Sequence, residues 1–71
     1  MHLSLLITQI KERRAMLQLT QAQLAELSGV GLRTLKQLEA GQANPTLHTL
    51  AEIAAVLGME VVLQVKKNTS L

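Results

Sequence analysis

The 71-residue chain has no cysteine, no aromatic residue, a single proline and only five acidic residues. Without cysteine there is no disulfide framework and no thiolate metal site, a composition consistent with a reducing cytoplasm. Without Phe, Tyr or Trp, a core must be built from Leu, Ile, Val, Ala and Met, which together dominate the 48% apolar fraction. The acidic residues are scattered, and His2 and His48 stand alone with no carboxylate or second histidine at ligand spacing. Cofactors and metal sites are therefore not expected. No Ser-His-Asp set and no glycine-rich phosphate loop is present, so nothing supplies a tuned acid, base or nucleophile, and no catalytic residue is assigned. No apolar run reaches membrane-spanning length. Met1–Ile10 is apolar but runs into Lys11-Glu12-Arg13-Arg14 with no small-residue cleavage site, and it reads as the start of a helix. A domain of this size buries only about 60% of its unfolded surface and gains from association. The net charge of +2 permits an anionic partner without demanding one.

What is present is helical periodicity. Leu3, Leu6, Ile7, Ile10, Arg14 and Leu17 recur at helical spacing, which predicts a first helix over 3–17 with Ser4 as a cap. Thr20-Gln21-Ala22-Gln23 has the form of a capping box. It opens a second helix that buries Leu24, Ala25 and Leu27 and stops at Gly29. After the turn Gly29-Val30-Gly31 a third helix runs from Leu32 to Ala40, closed by Gly41. A fourth, capped by Thr46, buries Leu47, Leu50, Ile53, Ala54 and Leu57 and ends at Gly58. Met16 and Met59 read as packing residues. From Met59 the period changes to two: Met59, Val61, Leu63 and Val65 alternate onto one face, which predicts a strand. The predicted organisation is a helical domain over 1–58, a dimerisation strand over 59–65 and a polar tail over 66–71.

A capped helix, a three-residue turn with glycine and a short second helix make a helix-turn-helix unit. On the wheel of the third helix, Leu32, Leu35 and Leu38 fall together with Glu39 between them. Arg33, Gln37 and Ala40 lie opposite, flanked by Thr34 and Lys36. Such a face can read base edges: Arg pairs with guanine, Gln with adenine, and Thr offers a hydroxyl and a methyl. Arg33, Thr34 and Gln37 are thus the candidate base contacts and Lys36 a candidate phosphate contact. Arg13 either touches phosphate or favours the negative end of the first helix.

These residues also resemble a known family. Leu19-Thr20-Gln21-Ala22-Gln23-Leu24-Ala25, Ser28-Gly29-Val30, Leu35, Leu38-Glu39, Gly41, Asn44-Pro45-Thr46-Leu47 and Leu57-Gly58 look like the Cro and phage-repressor (XRE) family, over roughly Ile10 to Gly58. The resemblance implies an all-α, repressor-like bundle of four to five helices. It further implies that Gln21 binds a phosphate and braces the recognition helix, that Arg14 and Glu39 form a structural salt bridge, and that Asn44 lies near the DNA backbone. Three positions depart from the family pattern: Gly31 where a Ser or Thr cap is common, Leu32 where Gln is common, and Gln18 where Gly is favoured after the first helix.

A lone strand cannot satisfy its own backbone groups, so Met59, Val61, Leu63 and Val65 are expected to pair with the same strand of a second copy. A two-fold dimer would present two recognition helices to successive major grooves and read an inverted repeat in double-stranded DNA. The segment Leu57-Gly58-Met59-Glu60-Val61-Val62-Leu63-Gln64-Val65 behind such a domain is also similar to the antitoxins of HipA/HipB-type toxin–antitoxin modules. That similarity implies autoregulation and a kinase-like toxin partner. The competing readings are a stand-alone XRE-type regulator and a toxin-binding module with little DNA binding, whose third helix should then carry apolar anchors. A cytoplasmic location, with no membrane partner, is the expectation.

Overall fold

The structure, a computed structural model, describes residues 3–65. Four helices follow in order: α1 (Leu3–Met16), α2 (Gln21–Ser28), α3 (Leu32–Glu39) and α4 (Leu47–Val56). Leu24, Leu35, Leu38, Ile53 and Leu57 are completely buried, and Ile7, Ile10, Ala25, Leu50 and Ala54 close the core around them. Every helix therefore contributes an aliphatic stripe to one interior, with α2 packed on α3 and α4, and α1 on α3. Each fully buried leucine is worth about 1.5–3 kcal/mol relative to exposure. No described helix is long and apolar enough to cross a membrane.

The helix starts follow the sequence closely. Thr20 Oγ1 accepts the Gln23 amide at 3.0 Å while Gln23 Oε1 accepts the Thr20 amide at 2.8 Å, completing the capping box. Thr46 Oγ1 accepts the Thr49 amide at 3.1 Å. Gly31 occupies the N-cap of α3 and provides no side-chain bond. Ser4 is not a cap: the helix is already formed at Leu3, and the Ser4 carbonyl accepts from the Thr8 hydroxyl.

The helix ends explain one departure from the family pattern. After α1, the Leu19 amide bonds the Arg14 carbonyl and the Gln18 amide bonds the Ala15 carbonyl, a Schellman closure that requires a left-handed residue at 18. Gln18 supplies it at φ 58°, whereas the same role after α3 and α4 falls to Gly41 and Gly58. An L-residue in this conformation costs roughly 1–2 kcal/mol. Gln18→Gly is therefore expected to raise stability by about 1 kcal/mol, a gain of several degrees in thermal midpoint by circular dichroism. An unchanged or lowered midpoint would remove the strain assigned to this turn.

Several predicted packing residues are not buried. Leu27 is 61% exposed, Leu47 67%, Met16 70% and Leu17 41%. Leu27 fits the spacing but falls on the solvent side of the short α2, whose inward stripe is Leu24, Ala25 and Ser28. Leu47 sits in the first turn of α4, ahead of the point where the helix meets its neighbours, and Met16 and Leu17 overhang the end of α1. Leu32 is half out of the core as well, at 37%. Helices α1 and α3 each end one residue earlier than predicted, at Met16 and Glu39.

The largest difference lies after α4. Residues 59–65 form no strand within the single chain; Met59 and Val61 pack partly on the core, and Leu63 and Val65 are 89% and 88% exposed. The alternation is real, but there is no second strand in the described chain to turn it into a ladder. His2 and the polar tail 66–71, with Lys66 and Lys67, lie outside the described residues.

Candidate nucleic-acid interface

Helices α2 and α3 are separated by Gly29-Val30-Gly31 alone. Gly29 takes φ 76° and its amide bonds the Ala25 carbonyl. Ser28, buried, donates its hydroxyl to the Leu24 carbonyl at 2.7 Å and accepts the Val30 amide at 3.3 Å. This side chain satisfies the backbone inside a sharp turn, so the second helix leaves at a fixed angle. Val30 packs on the core beneath the turn.

On α3 the two faces separate as the wheel predicts, except that Leu32, on the inner face of the wheel, is exposed. Leu35, Leu38 and Glu39 are buried, whereas Arg33, Thr34, Lys36, Gln37 and Ala40 are exposed. Among the described residues the carboxylates with a cationic or histidine neighbour are Glu39, paired with Arg14, and Glu52, 3.7 Å from His48 Nε2, so neither Arg33 nor Lys36 is consumed by an internal carboxylate. The outward surface thus combines two cations, an amide and a hydroxyl on a helix of eight residues. Apolar or aromatic anchors, which an interface for a protein partner would favour, do not occur at the centre of this face.

What holds α3 in place is a buried carboxylate. Glu39 is only 6% exposed. Its two oxygens accept from Arg14, Nε to Oε2 at 2.8 Å and Nη2 to Oε1 at 2.9 Å, the bidentate fork geometry of a strong ion pair. Arg14 Nη1 donates to the Leu19 carbonyl at 2.8 Å, and Gln21 Nε2 donates to Glu39 Oε1 at 2.9 Å. One carboxylate therefore joins α1, the turn after it, the first residue of α2 and the end of α3. Burial pushes the Glu39 carboxyl up, but the hydrogen bonds from Arg14 and Gln21 and the nearby positive charge outweigh it, and the group sits below its ordinary value. Hydrogen bonding to Glu39 raises the Arg14 guanidinium in turn. No buried polar side-chain atom among the described residues lacks a partner.

The structure thus brings Arg14, Gln21 and Glu39 together and sets Arg33, Thr34, Lys36 and Gln37 on one outward face. Asn44 is exposed in the loop between α3 and α4, just ahead of the Thr46 cap. Arg13 stands in the last turn of α1, where a cation favours the negative helix end, and its Nε also donates to the Leu57 carbonyl at 2.9 Å, tying α1 to the end of α4. No local signal in the sequence points to this contact, because the partners lie 44 positions apart. Among the described residues no group of His, Asp and Glu is placed to hold a metal ion.

Two short helices meeting across a glycine turn, the second braced from behind and polar in front, define a helix-turn-helix domain. The chain belongs to the helix-turn-helix family: the family's sequence model matches residues 10–63, from the middle of α1 into the segment beyond α4. It is 45% identical over 53 residues to a protein of Methanothermobacter thermautotrophicus (75% of this chain, 77% of the relative). It is 41% identical over 54 residues to one of Archaeoglobus fulgidus (76% of each). A third relative, from Haemophilus influenzae, is 42% identical over 53 residues, and there the match spans about half of the relative's length, 54%. All three are named uncharacterized HTH-type transcriptional regulators. No solved structure gives a significant match.

Proposed function

We propose that this chain is a sequence-specific DNA-binding transcriptional repressor that acts as a dimer on an inverted-repeat operator. The observation that carries the reading is the outward face of α3, polar and cationic, on a helix fixed from behind by Glu39. In this reading Arg33, Thr34 and Gln37 contact base edges in the major groove. Lys36, Asn44 and Gln21 contact phosphates, Gln21 with an amide at the start of α2, where the helix end favours anions. The Gln21 side chain would then join the phosphate backbone to the same carboxylate that locks α3. The names of the relatives support a regulatory role.

The dimer half of the proposal rests on residues 59–65, with Met59, Val61, Leu63 and Val65 as the shared apolar face. Their similarity to HipA/HipB-type antitoxins extends it to autoregulation of an operon and to a kinase-like toxin as a second partner. A kinase-like reading frame beside this gene is the outcome that reading expects; its absence favours a stand-alone regulator.

Electrostatic attraction to the phosphate backbone makes the affinity fall with salt as counterions are released. Two Lys36 side chains in a dimer already imply a loss of roughly tenfold between 50 and 200 mM salt. Anisotropy titration of a selected duplex at the two ionic strengths measures it, and Lys36→Ala is expected to weaken all sequences about equally and flatten the slope. Salt-independent affinity would refute a phosphate-anchored mode of binding.

A further inference from the structure

The segment leaving α4 is aimed by two contacts. The Met59 amide bonds the Ala54 carbonyl at 2.8 Å, completing the closure of α4 around Gly58 at φ 70°. Arg13 Nε holds the Leu57 carbonyl, and a Cβ at position 58 would lie 3.5 Å from Arg13 Nη2. So directed, the chain runs along the edge of a groove of about 410 Å³ between α1 and α4. Its apolar lining includes Leu5, Leu6, Ile10, Leu50, Val61 and Val62. Of that lining Ile10 and Leu50 are buried within the single chain, whereas Leu5, at 57% exposure, and Val62, at 51%, are left open.

The same chain carries what the groove lacks. Leu63 and Val65 share the alternating face of Met59 and Val61, yet they project beyond the protomer and are almost completely exposed. Beyond Met59 the segment makes no backbone hydrogen bond to another of the described residues, so among them it presents an open edge for pairing. In an antiparallel pair, residues directly opposite one another lie on the same face. A second copy pairing along this edge would therefore bring its own Leu63 and Val65 onto the layer begun by Met59 and Val61, over the groove. The tail beyond Val65, Lys66-Lys67-Asn68-Thr69-Ser70-Leu71, carries a single apolar residue, Leu71, and its composition offers little to fill an apolar groove.

We propose that the groove between α1 and α4 is the seat for Leu63 and Val65 of a second copy, and that the two copies fill each other's grooves reciprocally. This inference rests on the dimer reading above and makes it specific: Met59 and Val61 pack at home, Leu63 and Val65 abroad.

The absence of native cysteine makes the test direct. A size-tagged Leu5→Cys chain is co-expressed with an untagged chain carrying Leu63→Cys or Val65→Cys, checked for folding by circular dichroism, and treated with a short bismaleimide linker. Cross-linked tagged–untagged dimers are expected. A sedimenting dimer that yields only untagged–untagged products would mean that the strands pair away from the groove; the seat would be wrong and the dimer reading would stand. A monomer at tens of micromolar, with native helicity, would overturn both.

Discussion

Replacing Glu39 by Gln lowers stability by about 3 kcal/mol, because one buried carboxylate serves Arg14 and Gln21 together and its loss strands a guanidinium. The Arg14 side chain is 19% exposed against 3% for Glu39, so water relieves part of the cost at the arginine and the low end of the range applies. A domain of this size has a total stability of only about 4–10 kcal/mol, and the thermal midpoint should fall by roughly 12–24 °C at neutral pH. Acid reduces the difference. The Glu39 carboxyl is held below its ordinary 4.5 in the folded chain, so its contribution is fully present above the unfolded value and is lost as pH falls through the lower, folded one. The variant, with no carboxyl at 39, lacks that dependence, and its midpoint should converge on the parent's in acid. Thermal unfolding of both proteins between pH 7 and pH 3 measures this. A variant within 1 kcal/mol of the parent at pH 7 would show that α3 is held by its leucines alone.

Arg33→Ala and Gln37→Ala act on a different quantity. Both side chains are exposed and carry no ion pair within the described chain, so their removal should leave the midpoint nearly unchanged. On a selected operator each change should weaken binding by about 1–3 kcal/mol per lost base contact, roughly five- to 150-fold, and relax the preference at the base it reads. Binding to unrelated duplex should change less, markedly so for the neutral Gln37. The ratio of specific to non-specific affinity, by competition titration, separates the two outcomes. An equal fall on every sequence would assign these residues to the phosphate backbone instead of the bases.

The legible part of this fold is the part governed by short-range rules. The capping box at Thr20, the Thr46 cap and the stop at Gly29 each involve residues three or four apart, and each occurs as the spacing implies. The division of α3 into buried Leu35, Leu38 and Glu39 and exposed Arg33 and Gln37 follows from periodicity on a helix with a strongly polar face. Glu39 as the partner of Arg14 came from resemblance; periodicity placed both toward the core but could not pair them across 25 positions. Leu27 and Leu47 went wrong because hydrophobicity marks what can be buried, not what a neighbouring helix reaches. Arg13 was illegible because its partner is a backbone carbonyl, which every residue has. The segment 59–65 differs again: its alternation is a pattern of pairing, and among the described residues there is no second strand for it to pair with.

Whether the outward face of α3 enters a groove of DNA is read from the amide chemical shifts of the labelled chain titrated with its selected duplex. The largest changes are expected at residues 33–37, with a second group at Gln21 and Asn44 and little movement at Ile7 or Ile10. Changes confined to α1 and residues 59–65, with residues 33–37 unmoved at saturation, would contradict that placement.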